Sequence, residues 1–245
     1  MLKEYRCDLH IHTCLSPCAD PGMVPGLVIK KARARGFSAI AVSDHNSAEN
    51  TRAFKKAGER EGLKVLGGME ITTREEVHIL ALFDRDEDLF KLQDIIYDNL
   101  PGLNDEEAFG RQIVIDEDDQ PIKINDRFLI GATLLSLEEI VDTVHRLSGI
   151  AIASHIDREG FGIIDQLGFI PPGLNLDGLE ISPKIALARA REDYADLDRF
   201  ELITSSDAHY LDDIGKCSTS FLIEGVSVEE IRKALFKEDG RRVIG

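Results

Sequence analysis

Near the start of the chain, two histidines stand one residue apart in Asp8-Leu-His-Ile-His12. In an extended strand successive side chains alternate sides, so Asp8, His10 and His12 share a face and both imidazoles converge on one point. Neutral imidazole suits borderline cations such as zinc, iron or manganese. Hydrogen bonds alone could also satisfy such a pair, so the remaining histidines decide between the two readings. His45 follows an apolar run in Ser43-Asp-His-Asn46, His155 follows another in Ala153-Ser-His-Ile-Asp157, and His209 closes Ser205-Ser-Asp-Ala-His209. His78 reaches the same place if its strand returns antiparallel to the one carrying Glu70, or if a bulge turns it inward. Six of the seven histidines therefore fall at or beside the ends of expected strands. Glu70 and Asp207 end strands too, and a bridging carboxylate is what closely spaced cations need to offset their repulsion. His145 is the exception: it flanks a helical apolar stripe and reads as a partly exposed helix residue.

Positioning these groups requires a scaffold that brings many strand ends together. Short apolar runs alternate with amphipathic segments, the pattern of repeated βα units. The runs 6–10, 38–43, 65–71, 77–83, 150–154, 179–182, 202–205 and 220–223 read as strands, and 26–35, 51–61, 137–147 and 228–236 as helices. Ser136-Leu-Glu-Glu139 and Ser227-Val-Glu-Glu230 carry capping-box spacing at two helix starts. From 84 to 133 the rhythm breaks: an acidic helical stretch and a Pro-Gly pair precede two short strands around Asp116-Glu-Asp-Asp-Gln-Pro121, a hairpin signal. The expectation is one α/β domain over 1–245, a TIM-like barrel with 84–133 inserted as a lid-like segment. A doubly wound open sheet fits the same alternation.

The chain has 245 residues, with 29 Lys and Arg against 45 Asp and Glu and a formal net charge of −16. Its apolar content excludes disorder, and its glycine and proline content excludes a collagen-like chain. Such an acid excess opposes broad contact with a phosphate backbone, so duplex nucleic acid is not an expected partner. Bound cations would still create a local anion site. The opening Met-Leu-Lys-Glu-Tyr-Arg has no apolar core and reads as no signal peptide, and no run approaches the roughly 18 apolar residues of a membrane span. The expected setting is cytoplasmic, without membrane contact. Cys7, Cys14, Cys18 and Cys217 are too sparse for a disulfide framework.

The motifs Asp8-Leu-His-Ile-His12, Ser43-Asp-His-Asn46, Glu70 with His78, His155 and Asp207-Ala-His209 together resemble the PHP family, named for its polymerase and histidinol phosphatase members. The resemblance spans nearly all of the chain except 84–133. It implies a distorted seven-stranded (β/α)7 barrel binding two or three divalent ions (Mn, Zn or Fe) and hydrolysing phosphate esters. It further implies that His10, His12, Glu70 and Asp207 hold one ion and that Glu70 bridges to a second held by His78 and His155. His45 and His209 would hold a third with one ligand from the following loop. Many relatives supply that ligand from Ser-Asp-Gly; here the loop reads Thr13-Cys-Leu-Ser-Pro-Cys-Ala-Asp20, so the expected ligand is Asp20, with Cys18 as the alternative.

Such ions activate water and clamp the oxygens of a phosphomonoester. Arg158, three residues past His155, would offer a bidentate fork to the phosphate, or else pair with a neighbouring acid. Asp44 reads as a group supporting the ligands, a proton donor to the leaving oxygen, or a helix cap. Within 84–133, Arg111 is the expected substrate contact. The expected partner is a small phosphorylated metabolite or a nucleotide, with a short-oligonucleotide 5'-3' exonuclease and histidinol phosphatase both open. The rival reading is a metal-binding regulatory or interaction module of the same fold without turnover.

Overall fold

The structure is a computed structural model describing residues 1–244. In chain order the elements are β1 (Lys3–Ile11), α1 (Pro25–Ala34), β2 (Ala39–Val42), α2 (Thr51–Glu61), β3 (Lys64–Thr72), β4 (His78–Phe83) and α3 (Asp86–Asp98). Then follow α4 (Glu106–Phe109), β5 (Ile113–Ile115), β6 (Pro121–Ile124), α5 (Leu137–Arg146), β7 (Ile150–Ala153), α6 (Ile163–Leu167) and β8 (Gly178–Ile181). The chain ends through α7 (Leu187–Asp193), β9 (Leu202–Thr204), β10 (Thr219–Ile223), α8 (Val228–Leu235) and β11 (Arg242–Ile244). Every strand and helix expected from the apolar runs is present. Ser136 forms the full capping box with Glu139, whereas Ser227 accepts from Glu230 N while the Glu230 carboxylate turns to Glu224 N and Arg241.

One sheet of nine strands runs β11-β10-β1-β2-β3-β4-β7-β8-β9. The count exceeds seven partly because β10 and β11 fold back antiparallel beside β1. β4 also runs antiparallel to both β3 and β7, the return that a five-residue turn after Thr72 dictates. The sheet curls until its edges nearly meet. Across the seam, His12 N donates to Ala208 O at 3.0 Å and Thr219 Oγ1 donates to Thr204 O at 2.9 Å. Those bonds make a barrel and rule out an open doubly wound sheet.

The period of two sorts each strand into a floor and a rim. Leu66, Leu80, Leu82, Ile150, Ile152, Ile203 and Phe221 belong to one buried apolar cluster, which α8 covers with Val228, Ile231 and Leu235. Asp84, at the far end of β4 from His78, accepts from Val228 N and Glu229 N and so caps α8. Further along the same strand faces the residues turn polar: Glu70 lies four residues beyond Leu66, and His78 lies two before Leu80. Gly68, between Leu66 and Glu70, has no space for a side chain, since a Cβ there would sit 2.6 Å from Leu82 Cδ2 and 2.9 Å from Ala81 O.

Within 84–133, α3 packs Leu89, Leu92 and Ile96 into the core cluster containing Met69, Ile71 and Phe83. The rest is fastened by two buried asparagines. Asn46 Nδ2 donates to Leu129 O and Gly131 O, both at 2.8 Å. Asn50 Nδ2 donates to Thr13 Oγ1 and Ile113 O, while its Oδ1 accepts from Ile115 N.

Candidate metal centre

The barrel rim gathers the six strand-end histidines with Glu70 and Asp207. Glu70 is buried on β3 and five imidazoles border its carboxylate. Its Oε1 lies 2.9 Å from His78 Nδ1, 3.1 Å from His155 Nε2 and 3.4 Å from His10 Nε2. Its Oε2 lies 3.2 Å from His45 Nδ1 and 3.3 Å from His12 Nε2. Asp207 Oδ1 stands 3.4 Å from His12 Nε2 and 3.6 Å from His10 Nε2. Three sets, His10-His12-Glu70, His45-Glu70-His78 and His12-His45-His209, each bring ligand atoms within 4.8 Å of one another.

The hydrogen-bond partners assign the tautomers. His10 Nδ1 donates to Glu180 Oε1 at 3.0 Å, His12 Nδ1 to Ser16 Oγ at 2.9 Å, and His209 Nδ1 to Asp207 O at 2.9 Å. In the neutral rings each Nε2 then carries a lone pair, and those of His10 and His12 face each other at 3.2 Å. Asp207 Oδ1 and His45 Nδ1 are buried without a hydrogen-bond partner among the described residues. Lone pairs and carboxylate oxygens aimed at one small space repel unless a cation or protons sit between them. The donor set, imidazole nitrogen and carboxylate oxygen with outer partners fixing the rings, fits divalent zinc, manganese or iron.

Protonation follows the same electrostatics. Burial opposes charge on His10, but Glu180, Glu70 and Asp207 hold its pKa well above the ordinary value. His12 is carried to about 9, because the adjacent Asp207 and Glu70 carboxylates outweigh its burial. Burial and the neighbouring His12 push His45 well below its usual range and His209 down to about 4. For Glu70, burial is overcome by His78 and His10, which hold the carboxyl well below the carboxylate range.

The backbone is bent to make this arrangement. His155 and Asp207 adopt φ of 28° and 48°, a region that residues with a side chain rarely enter, and such outliers concentrate at functional sites. The loop after β1 is fixed by Asp44: its Oδ1 accepts from Thr13 N and Ser16 Oγ, each at 2.7 Å, and its Oδ2 from Thr13 Oγ1 at 2.8 Å. Both Asp44 oxygens are engaged with this loop, and through Ser16 the carboxylate is linked to His12. Arg158 Nη1 donates to Asp207 Oδ2 at 2.9 Å, at the edge of the centre.

Three expected residues, Asp20, Cys18 and Arg111, stand outside the three close ligand sets, although the Asp20 backbone N donates to His209 O at 2.9 Å. Asp20 is exposed and its Oδ1 accepts from Gly22 N, because the tight turn at 20–22 claims the carboxylate. Cys18 is half-buried beside the centre but outside the three close sets, and burial with the nearby Glu70 pushes its thiol up to about 12. Arg111 is exposed and pairs with Glu106 at 3.3 Å. Conversely, Glu180 was not expected: it is buried on β8 and holds both His10 Nδ1 and His155 N. A charged residue inside the otherwise apolar run 179–181 was the available signal.

The PHP domain model matches residues 8–197, most of the chain, and a PHP-associated model matches 185–239. The chain belongs to the PHP family. The chain is similar to a phosphoribosyl 1,2-cyclic phosphate 1,2-diphosphodiesterase of Eggerthella lenta, 32% identical over 80 residues, covering 31% of this chain and 29% of that protein. It is also similar to a 5'-3' exoribonuclease of Haemophilus influenzae, 25% identical over 198 residues, covering 63% of this chain and 69% of that protein. The fold matches the lesion-specific endonuclease PfuEndoQ of Pyrococcus furiosus with a TM-score of 0.75 at 17% identity, over 98% of this chain and 58% of that one. The PHP chain thus spans under a third of the Eggerthella relative and under two thirds of the Pyrococcus one.

One expectation needs correction. Endonuclease Q of the same fold is solved in complex with a 27-mer duplex carrying an abasic lesion at its active site, with a TM-score of 0.69 to this chain. Duplex nucleic acid is therefore not excluded for this architecture. The argument from net charge failed because a total over the surface says little about one loop-lined face. Among the described residues, no helix is long and apolar enough to cross a membrane.

Proposed function

We propose that this PHP chain is a metal-dependent phosphoester hydrolase acting on a phosphomonoester or a nucleotide end. The observation carrying the reading is the buried Glu70 carboxylate bordered by five imidazole nitrogens at 2.9–3.4 Å. We assign His10, His12, Glu70 and Asp207 to a first divalent ion, and Glu70, His78 and His155 to a second. His45 and His209, with His12 beside them, suit a third. Divalent ions held there would supply Lewis acidity toward phosphate oxygens and lower the pKa of a water. The chain's own groups do the rest. Glu180 and Ser16 hold His10 and His12 in the tautomers that present Nε2. Asp44 fixes the loop that carries Ser16. Arg158, tied to Asp207 through one nitrogen, has further N–H donors with which to grip a phosphate oxygen. Among finer readings the nucleotide end is favoured by the printed activity of the Haemophilus relative.

The test is hydrolysis of p-nitrophenyl phosphate and a nucleotide monophosphate by purified protein with manganese, zinc or iron, repeated with chelator. Turnover that a chelator abolishes is the expected result. Bound metal with no turnover across a broad phosphoester panel would instead establish a non-catalytic module.

A further inference from the structure

Of the eight residues at the centre, six are nearly sealed, while the Asp207 and His209 side chains keep 13% and 20% of their surface. Access is therefore from their side. A cleft of about 490 Å³ opens there, lined by Arg158, Lys184, Asp207, His209, Tyr210 and Lys216 among others. That size suits a small ligand or one unit of a longer one.

The cleft is built, and its walls are pinned loop by loop. After β8, Ser182 donates from N and Oγ to the two oxygens of Asp157, at 2.7 and 2.6 Å, and Ser182 Oγ in turn accepts from Lys184 N. After β9, Asp213 Oδ2 accepts from His209 N and Tyr210 N, which leaves the Tyr210 ring 56% exposed at the rim. Three cations thus face one cleft of a chain whose net charge is −16. Arg158 and Lys216 are paired with Asp207 and Asp213, while Lys184 has no acidic partner among the described residues. An exposed ring beside unneutralised positive charge is the combination that holds a nucleotide: the base stacks and the phosphate pairs.

We propose that this cleft is the subsite for the nucleotide adjoining the scissile phosphate, with its base on Tyr210 and its own phosphate on Lys184. The substrate class is then a phosphodiester-linked nucleotide end, in preference to a simple phosphomonoester. The proposal rests on the hydrolase reading above and gives it a direction: the reacting phosphate lies over Asp207 and His209, and the next unit extends toward the loops after β8 and β9.

Two measurements test it. The first compares kcat/KM for the 5'-phosphorylated dinucleotide pdTpdT with that for p-nitrophenyl phosphate, in manganese-loaded protein. The expected ratio is roughly ten-fold or more, the scale of one stacked base. It should fall to about unity in Lys184→Ala/Tyr210→Leu and survive in Tyr210→Phe, which keeps the ring. His145→Ala, at the opposite end of β7, should keep the ratio. A ratio near one in the native chain, or one that persists in the double variant, overturns the subsite.

The second measurement is independent of turnover. The chain has four tyrosines and no tryptophan, so pdTpdT titrated into metal-stripped protein should quench tyrosine emission saturably, and Tyr210→Leu should remove that quench. Should metal-loaded protein hydrolyse neither compound, the broad phosphoester panel decides the hydrolase reading and the quench decides the nucleotide-binding cleft: present and Tyr210-dependent upholds it, absent overturns it.

Discussion

Glu70 concentrates the chemistry of this chain because one buried carboxylate serves five rings. Glu70→Gln keeps the shape but removes the charge that offsets adjacent cations. Metal content should drop by at least one ion, and kcat should fall roughly a hundred-fold or more, since even outer partners of metal ligands are worth 10–100-fold. Metal analysis beside kinetics checks both, and full metal with full rate would refute the ligand map. Glu180→Gln should weaken metal binding by about 10–100-fold and leave the fold intact, as expected of a group that orients His10. The residues gathered at the rim were legible in the sequence because they end apolar runs; Glu180 was not singled out, because one acid inside a strand carries no spacing signature. His145 also proved more engaged than its position on the helix flank implied. Its Nε2 meets Asp177 Oδ2 at 2.7 Å, and that carboxylate also holds Ala151 N. The bond to Asp177 outweighs partial burial and raises the His145 pKa. A raised folded-state pKa gives stability that is fully present below the unfolded value of about 6.5 and lost as pH rises through the folded value. Native protein should therefore exceed His145→Ala in Tm most at acidic pH, with the gap narrowing in alkali; a gap independent of pH would show that the pair contributes no charge.

At the scale of elements, the barrel depends on one reversal. Because β4 runs back along β3, His78 at its start lies opposite Thr72, within reach of Glu70. The short apolar runs 65–71 and 77–83 made both strands legible, and the short gap between them made an antiparallel return one of the two ways to place His78. The nine-strand order was not legible, since pairing of β1 with β10 joins residues over two hundred positions apart and leaves no local pattern. The same holds for the segment read as a lid. We take the inserted part to begin after α3, which packs as a barrel helix, and to work as a buttress: Asn50 ties β5 to Thr13, whose hydroxyl donates to Asp44. Asn50→Ala would strand the Ile115 N–H and a bond to Ile113 O in a buried place, at a cost of about 1–3 kcal/mol for an unsatisfied group. A lower Tm is expected, together with weaker metal binding through the loosened 13–16 loop. Normal metal affinity in a destabilised Asn50→Ala protein would separate the buttress from the centre.

For the whole molecule, the acid excess misleads when it is averaged. Carboxylates on the helical surface are screened beyond about 8–10 Å at ordinary salt, whereas the buried acids at the rim, Asp8, Asp44, Glu70 and Glu180, act on one another in a medium that screens poorly. Burial, joined by the nearby Glu180 and opposed by hydrogen bonds from Ser206 and the His10 backbone, carries Asp8 to about 6. Divalent ions at the rim would relieve this crowding in the folded state only, because the unfolded chain scatters the ligands over two hundred residues. Metal binding must then appear as stability. At free metal a hundred times Kd the gain is about 2.7 kcal/mol, and at roughly 2–4 °C per kcal/mol for a chain of this size that is a Tm rise of about 5–10 °C. Calorimetry of metal-loaded protein before and after chelation measures it directly. Glu70→Gln should show less than half the native shift, while Lys184→Ala, outside the ligand set, should show all of it. A chelator that strips measurable metal without moving Tm would mean that the ions bind folded and unfolded chains alike, which a preformed cluster of convergent imidazoles does not permit.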